Sequence, residues 1–265
     1  MFKSLLNILR LKNLNTNLIN SEERLKLHKQ IFSSKKLLKD TFIYYHNLFD
    51  KYDKKYLSCE NGSRVELGAG IYPIKMTYSD VISSDVIENK DLDMVLDAEN
   101  INLENNSVRV FFGQNMFHHI SDPNKFFKSA SEKLKIGGGI IILEPSDTFL
   151  SNILHKNMHL NEFYDMSQKN WQVENKGPMT NANQAMSSII FYRDKEKFLK
   201  NYPNFEIKLI FNCNKYLHYL LSGGLNFITL FPNKLKFILD VIEFMLIPMK
   251  KVFSIHHIII LKKIK

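Results

Sequence analysis

The segment Arg64-Val65-Glu66-Leu67-Gly68-Ala69-Gly70 decides the fold, because in it a short apolar strand runs directly into a glycine-rich bend. Glycine allows a sharp turn and lets a ligand approach the backbone where a Cβ atom would clash. Position 73 is a proline, so the third glycine of a dinucleotide-binding GxGxxG pattern is missing. The bend also lacks the Gly-Lys-Ser/Thr sequence of a Walker loop. It therefore favours neither a pyrophosphate nor a triphosphate.

Further short apolar segments follow this strand and alternate with helical or loop segments. We predict strands over 81–84, 94–96, 108–112 and 140–143, and later ones over 205–211 and 254–261. A helix is predicted over 123–134, with Asp122 as its N-cap and Gly137-Gly138-Gly139 closing it. This alternation predicts an α/β, doubly wound, mostly parallel seven-stranded sheet. Helices before residue 62 and a helical insertion before the last strand complete the predicted fold.

Polar residues stand where the predicted strands end. In doubly wound sheets, ligands bind beyond the carboxyl ends of the strands. Asp85 ends the second strand, where its carboxylate can accept hydrogen bonds from two vicinal ribose hydroxyls. Asp97 ends the third strand and is placed to accept from an adenine amino group. Taken singly, each aspartate could instead be a solvated turn residue or a helix cap.

Together these segments resemble a known family. Residues 65–70, Ser84-Asp85, Leu96-Asp97-Ala98 and residues 135–139 are similar to the successive motifs of class I S-adenosylmethionine-dependent methyltransferases. The resemblance covers residues 64–147. The segments 113–120 and 177–185 also resemble a narrower, type 11-like group of bacterial methyltransferases of surface-polysaccharide biosynthesis.

The resemblance implies a set of residues that bind S-adenosyl-L-methionine: Glu66, Leu67, Gly68, Ala69, Gly70, Asp85, Asp97, Ala98, Gln114 and Asn115. In this set the glycine bend surrounds the methionine part and Glu66 helps to hold its amino group. Asp85 binds the ribose, and Asp97 with Ala98 binds the adenine. Gln114 and Asn115 lie beneath the sulfonium and the methyl group.

Three residues are candidates for the catalytic base: His118, His119 and Glu144. A histidine titrates near neutrality, which suits removal of an acceptor proton. The alternative is that these side chains only shape the site. No aspartate follows the fourth strand as a magnesium ligand, so we predict no metal. No Asn/Asp-Pro-Pro-Tyr/Phe sequence stands there either, which disfavours methylation of a nucleic-acid base.

The acceptor is predicted to be a sugar or glycan intermediate that is methylated on oxygen. Amide side chains suit sugar hydroxyls and an aromatic ring can stack on a sugar face, so the predicted acceptor residues are Trp171, Asn181, Asn183 and Gln184. Two alternatives stay open. The chain could methylate a lipid or quinone precursor, or it could be an inactive, cofactor-binding subunit of a glycan assembly complex.

These features divide the chain into five predicted parts. They are an N-terminal helical cap (1–61), a cofactor-binding core (62–147), an acceptor-side region with the sixth strand (148–213), an apolar helical insertion (214–251) and a final strand (252–265). The two cysteines, and an N-terminus that does not have the pattern of a secretory signal, predict a reducing, cytoplasmic compartment.

Charge is distributed unevenly. The chain has a formal net charge of +9, yet residues 62–147 carry 8 basic and 13 acidic side chains. An acidic core suits a cationic cofactor and argues against a nucleic-acid partner. Residues 214–265 carry 8 basic and 2 acidic side chains and are also apolar. Their predicted helix over 234–247 is about 21 Å long, short of the roughly 30 Å of a bilayer core.

This composition leaves two interpretations of the insertion, a packed cover helix or an interfacial one. The second would bring a peripheral membrane contact on the inner face of the membrane and a lipid-linked acceptor.

Overall fold

One sheet of seven strands organises the protein, in the order β3-β2-β1-β4-β5-β7-β6. The computed structural model describes residues 2–11, 22–58, 61–158, 162–174 and 183–265. Its strands are β1 Ser63–Leu67, β2 Val81–Asp85, β3 Met94–Val95, β4 Val108–Gln114, β5 Leu134–Pro145, β6 Phe205–Asn212 and β7 His256–Lys263. Strand β7 runs antiparallel to β5 and β6, and the other neighbours are parallel. The predicted fold class, a doubly wound and mostly parallel seven-stranded sheet, is confirmed.

Helices lie along the chain between and around these strands. The α-helices are α1 Phe2–Leu9, α2 Glu22–Ser34, α3 Lys36–Tyr56, α4 Pro123–Lys133, α5 Phe149–Met158, α6 Met186–Ser188, α7 Lys195–Asn201, α8 Tyr216–Ser222, α9 Lys236–Met245 and α10 Lys250–Phe253. Short 3-10 helices span Ile74–Met76, Phe117–His119, Asn233–Leu235 and Ile247–Met249, and a π-helix spans Ile189–Arg193. Among the described residues, no helix is both long enough and apolar enough to pass through a bilayer.

The predicted helix over 123–134 ends at Lys133, and the glycines after it do not close it. They lie inside β5, which begins at Leu134. A Cβ atom on Gly138 would stand 2.3 Å from the carbonyl oxygen of Arg109, and one on Gly139 would stand 2.0 Å from that of Leu261. The prediction was wrong here because these glycines allow neighbouring strands to approach closely, rather than marking a helix end.

The predicted helix over 234–247 is shorter than expected. Its central part is α9, and 3-10 turns lie before and after it. Pro248 stands in the second of these turns and cannot continue an α-helix, because it has no N–H to donate.

Two apolar layers cover the two faces of the sheet. One contains Phe127, Phe191 and Phe198, which pack edge to face beneath α4 and α7. The other contains Phe49 of α3, stacked on Phe112 of β4 at a centroid distance of 5.5 Å. Because both faces are buried, the central strands are held rigidly and their carboxyl ends keep a fixed spacing.

The N-terminal helices are fastened to the insertion by a buried lysine. Lys35, between α2 and α3, donates through Nζ to the carbonyl oxygens of Ser222 at 3.1 Å and Gly224 at 2.7 Å, and it also contacts that of Phe227. Burial lowers the pKa of Lys35 to about 8. These bonds hold α2 beside the end of α8, above the edge of the sheet where the strands end.

Candidate functional site

A cavity of about 410 Å³ opens at the carboxyl ends of β1, β2 and β4. The chain order of the strands reverses between β1 and β4, and ligands of doubly wound folds bind at such a switch point. All of the residues predicted to bind the cofactor line this cavity: Glu66, Leu67, Gly68, Ala69, Gly70, Asp85, Asp97, Ala98, Gln114 and Asn115. The fold therefore brings together residues that lie up to fifty positions apart in the sequence.

The glycine bend lies against the cavity in a conformation that needs glycine. Gly68 has φ +68°, and a Cβ atom there would stand 2.7 Å from the Cβ atom of Met116. Asp85 fixes the bend, because its Oδ2 accepts a hydrogen bond from the Gly70 amide at 3.0 Å. Its Oδ1 accepts from the Ile87 amide at 3.1 Å. The bend thus presents backbone atoms without side chains to the cavity. The carboxylate of Asp85, at the end of β2, holds it in place.

Glu66 lies deep below the bend and is only 2% exposed. Its Oε2 accepts a hydrogen bond from the Ile74 amide at 2.7 Å. Burial, with a smaller contribution from the nearby Asp85 carboxylate, raises the pKa of Glu66 to about 8, although the Ile74 amide and Lys75 oppose the shift. The carboxyl group is therefore largely protonated at neutral pH and would ionise beside a cation.

Asp97 and Ala98 form the opposite rim. Asp97 is exposed, and its Oδ1 accepts a hydrogen bond from the Glu99 amide at 2.8 Å. Because Asp97 is exposed and lines the cavity, its carboxylate can accept from a ligand without a cost for burying its charge.

Two amide oxygens point to a ligand in the cavity. Oε1 of Gln114 and Oδ1 of Asn115 are buried, and within the described part of the chain neither has a hydrogen-bond partner. Asn115 has φ +52°, and its amide donates to the Leu143 carbonyl at 2.8 Å. Buried polar atoms are normally satisfied, so these oxygens fit a ligand that carries positive charge or donor groups.

Glu144, predicted as a possible base, is wholly buried and does not line the cavity. Its Oε1 accepts from the amides of Met116 at 2.9 Å and Phe117 at 2.8 Å. Its Oε2 lies 2.5 Å from Nδ1 of His118. Glu144 thus holds the turn after β4 and does not reach the cavity.

His118 is likewise held away from the cavity, with 4% of its side chain exposed. Burial opposes a charge on the ring, but the nearby Glu144 carboxylate outweighs it and raises the pKa of His118. His119 behaves differently, because it lines the cavity. Its Nε2 lies 3.8 Å from Oε1 of Glu162, a residue that the sequence analysis did not select.

His118, His119 and Glu162 also form a group of potential metal ligands. One ligand atom from each lies within 4.8 Å of the others, so this group could hold a metal ion. The absence of a metal stays a prediction from the sequence.

Three of the four predicted acceptor residues, Trp171, Asn183 and Gln184, do not line the cavity. Trp171 is buried, and its Nε1 donates to Asp194 at 2.8 Å. Asn183 is buried and bonded to the backbone of Asp165, and Gln184 contacts Glu162. The amides of Asn183 and Gln184 are thus engaged inside the protein. Asn181 lies outside the described residues.

Other residues close the cavity instead, and sequence reasoning missed them. They come from α2, α3 and the insertion: Arg24, Leu25, His28, Leu38, Phe42, Tyr219 and Leu225. Burial and the neighbouring Arg24 lower the pKa of His28 to about 4. A signal was available, because Arg24 and His28 stand four positions apart and so share one face of a helix.

Part of the chain matches a known protein family. Residues 75–142 match the family model described as "Methyltransferase domain". A search of curated proteins gave no match.

Solved methyltransferase structures resemble the chain at low sequence identity. Phosphoethanolamine N-methyltransferase 2 of Haemonchus contortus, in complex with S-adenosyl-L-methionine, is 13% identical with a TM-score of 0.48, over 95% of this chain and 60% of that one. This chain therefore spans about three fifths of that protein's length.

Two further structures match more of their own length. Geranyl diphosphate C-methyltransferase of Streptomyces coelicolor is 10% identical with a TM-score of 0.48, over 97% of this chain and 91% of that one. A SAM-dependent methyltransferase of Archaeoglobus fulgidus is 14% identical with a TM-score of 0.44, over 83% of this chain and 93% of that one.

The sheet order, the cavity at its switch point and the family match over residues 75–142 lead to one conclusion. The chain contains a methyltransferase domain, which the family model matches within the central part of the sheet.

Proposed function

We propose that the cavity binds S-adenosyl-L-methionine along the strand ends and that His119 serves the methyl transfer to an acceptor hydroxyl. The observation that carries this proposal is the pair of buried, unpartnered amide oxygens of Gln114 and Asn115 beside the bare backbone at Gly68. The bend would take the methionine part, Asp85 the ribose, and Asp97 with Ala98 the adenine. The predicted core, residues 62–147, keeps its role as the cofactor-binding part in this proposal.

Bound there, S-adenosyl-L-methionine supplies an electrophilic methyl group. The chain's part is to align the acceptor oxygen opposite the sulfur, to exclude water and to remove the hydroxyl proton. The imidazole of His119 would accept the proton of the acceptor hydroxyl as the methyl group is transferred from sulfur to oxygen. Glu162, 3.8 Å from Nε2, then stabilises the resulting imidazolium. Glu144 positions the turn that carries His119, since it holds the amides of Met116 and Phe117.

The acceptor proposed is a sugar or glycan intermediate of surface-polysaccharide biosynthesis, carried on a lipid. The residues that cover the cavity favour an acceptor that is both anionic and partly apolar. Arg24 provides a positive charge, and Leu25, Phe42 and Leu225 provide apolar surface. These residues, from the N-terminal helices and the insertion, form the proposed acceptor side. A lipid or quinone precursor is the second candidate, favoured by the same apolar side chains.

Transfer of a labelled methyl group tests the proposal. The whole protein is incubated with labelled S-adenosyl-L-methionine and, separately, with extracted nucleotide sugars, glycolipids and quinone precursors. We expect label in the glycolipid fraction and a mass increase of one methyl group on a sugar oxygen. Label in the quinone fraction alone would favour the second candidate. Binding of S-adenosylhomocysteine without any turnover would instead support the inactive, cofactor-binding subunit.

The pKa of Glu66 predicts a proton release on cofactor binding. The group is protonated below about pH 8 in the free protein, and the amino group of the ligand would favour its ionised form. Binding of S-adenosylhomocysteine near pH 7 should therefore release up to about one proton, and affinity should rise with pH until about pH 8 and then level off. Calorimetry in buffers of different ionisation enthalpy measures the release. Glu66→Gln should abolish it, and an equal release in that variant would refute the assignment.

A further inference from the structure

Helix α9 turns its polar side chains toward the protein. Glu243 is 4% exposed, and its Oε1 accepts from the Leu217 amide at 2.6 Å. Asp240 contacts Lys215 and accepts from Nζ of Lys236 at 2.9 Å. Both acidic groups of the helix are thus bonded to neighbours: Glu243 is buried, and Asp240, whose side chain is 39% exposed, is paired with Lys215 and Lys236.

The outward side of α9 is apolar. We call it the apolar face, and it consists of Phe237, Ile238, Val241, Ile242, Phe244 and Met245, all exposed. Phe244 is 74% exposed and Met245 71% exposed. A helix on an aqueous surface normally has the reverse arrangement, with its apolar stripe toward the core. An exposed patch of this kind marks a contact with an apolar partner.

Basic residues flank the apolar face at both ends. Lys234 precedes α9, and Lys250 and Lys251 follow it; Lys234 and Lys251 are exposed. Helix α1 is tied to the segment before α9, because the Ile228 amide donates to the Leu9 carbonyl at 2.9 Å. An apolar surface rimmed by lysines is complementary to the headgroups and acyl chains of an anionic bilayer.

The segment that leads into α9 reaches the cavity. The segment between α8 and α9 contains Leu225, which lines the cavity, and Ile228, which is exposed. The bonds of Lys35 to the carbonyls of Ser222 and Gly224 hold the same segment against the N-terminal helices. A ligand with one end in a bilayer would therefore find the cavity entrance next to the apolar face.

We propose that the apolar face and its flanking lysines dock on the surface of an anionic lipid bilayer, with α9 lying in the interface. Helix α9 has 10 residues, so it is about 15 Å long and lies on the bilayer without crossing it. The docking proposal is argued from the geometry of α9 alone. Its consequence, that the acceptor enters from the membrane, rests on the proposed function.

Vesicle flotation with the whole protein tests the docking. One set of vesicles contains phosphatidylcholine alone, and the other contains phosphatidylglycerol as well. The double variant Phe244→Ser/Met245→Ser should bind the anionic vesicles roughly tenfold more weakly or worse than the wild type. Lys250→Glu/Lys251→Glu should lose about thirtyfold and no longer prefer anionic vesicles. Ile136→Ser, at a residue that is 64% exposed on β5, is the matched control and should bind like the wild type.

Affinity for S-adenosylhomocysteine, measured by calorimetry, separates this proposal from the proposed function. None of the substituted residues lines the cavity, so every variant should keep wild-type affinity. Docking is overturned if the wild type does not float with anionic vesicles, or if both double variants float as it does. A second result also overturns it. If, without vesicles, the wild type is a dimer and Phe244→Ser/Met245→Ser is a monomer, the apolar face binds a second copy of this chain instead.

Discussion

His119→Asn should lower the turnover of methyl transfer by about 10²–10⁴, the usual contribution of a general base. His119 is the histidine after β4 that lines the cavity, whereas His118 is held by Glu144 and does not. Asparagine keeps a polar group of similar size but cannot accept the acceptor's proton. The affinity for S-adenosylhomocysteine should stay the same, because the base acts on the acceptor. Steady-state kinetics with the glycolipid acceptor and calorimetry measure the two quantities.

His28→Asn is the matched control for this prediction. His28 also lines the cavity, but burial and Arg24 lower its pKa to about 4. A group with so low a pKa is a weak base, so this substitution should change KM more than kcat. If His119→Asn turns over like the wild type, or if the two variants lose turnover equally, the role of His119 as the base is refuted.

Asp85→Ala should weaken binding of S-adenosylhomocysteine by about a hundredfold. Hydrogen bonds to a charged group contribute about 1.5–3 kcal/mol each, and the ribose would take two of them from this carboxylate. The variant also removes the acceptor for the Gly70 amide, which holds the bend. The loss should appear as a higher dissociation constant in calorimetry, with the fold intact by circular dichroism.

Asp80→Ala provides the matched control, because Asp80 precedes the same strand that Asp85 ends. Its side chain is 62% exposed and pairs with Arg64 at 2.7 Å. Exposed ion pairs contribute roughly 0–1 kcal/mol, so this variant should bind S-adenosylhomocysteine like the wild type. Equal binding by Asp85→Ala and the wild type would remove Asp85 from the site.

The wall of the cavity at the strand ends was accessible from the sequence because its residues follow strands directly. Glu66, Asp85 and Asp97 each end a short apolar segment, and parallel strands place their carboxyl ends at one edge. Local patterns therefore predicted which residues would meet. The same reasoning failed at Gly138 and Gly139, because the close approach of Arg109 and Leu261 is a tertiary contact that no local pattern records.

The residues that close the cavity from α2, α3 and the insertion meet through contacts between distant segments, and the sequence did not predict them. An amide-rich stretch is equally suited to bind a sugar or to satisfy the protein's own backbone, and Asn183 does the second by bonding to Asp165. Arg24 and His28 reach the cavity because Lys35 fastens their helix to the insertion. The apolar face is exposed because the opposite side of α9 is held against the protein, where the buried Glu243 accepts from the Leu217 amide.

The central claim is that the edge of the sheet at β1, β2 and β4 is the cofactor site. A crystal structure of the protein with S-adenosylhomocysteine tests it most directly. We expect the ribose hydroxyls at Asp85, the adenine at Asp97 and Ala98, and the methionine part against Gly68. A ligand bound elsewhere, with this cavity unchanged and Gln114 and Asn115 still without partners, would contradict it.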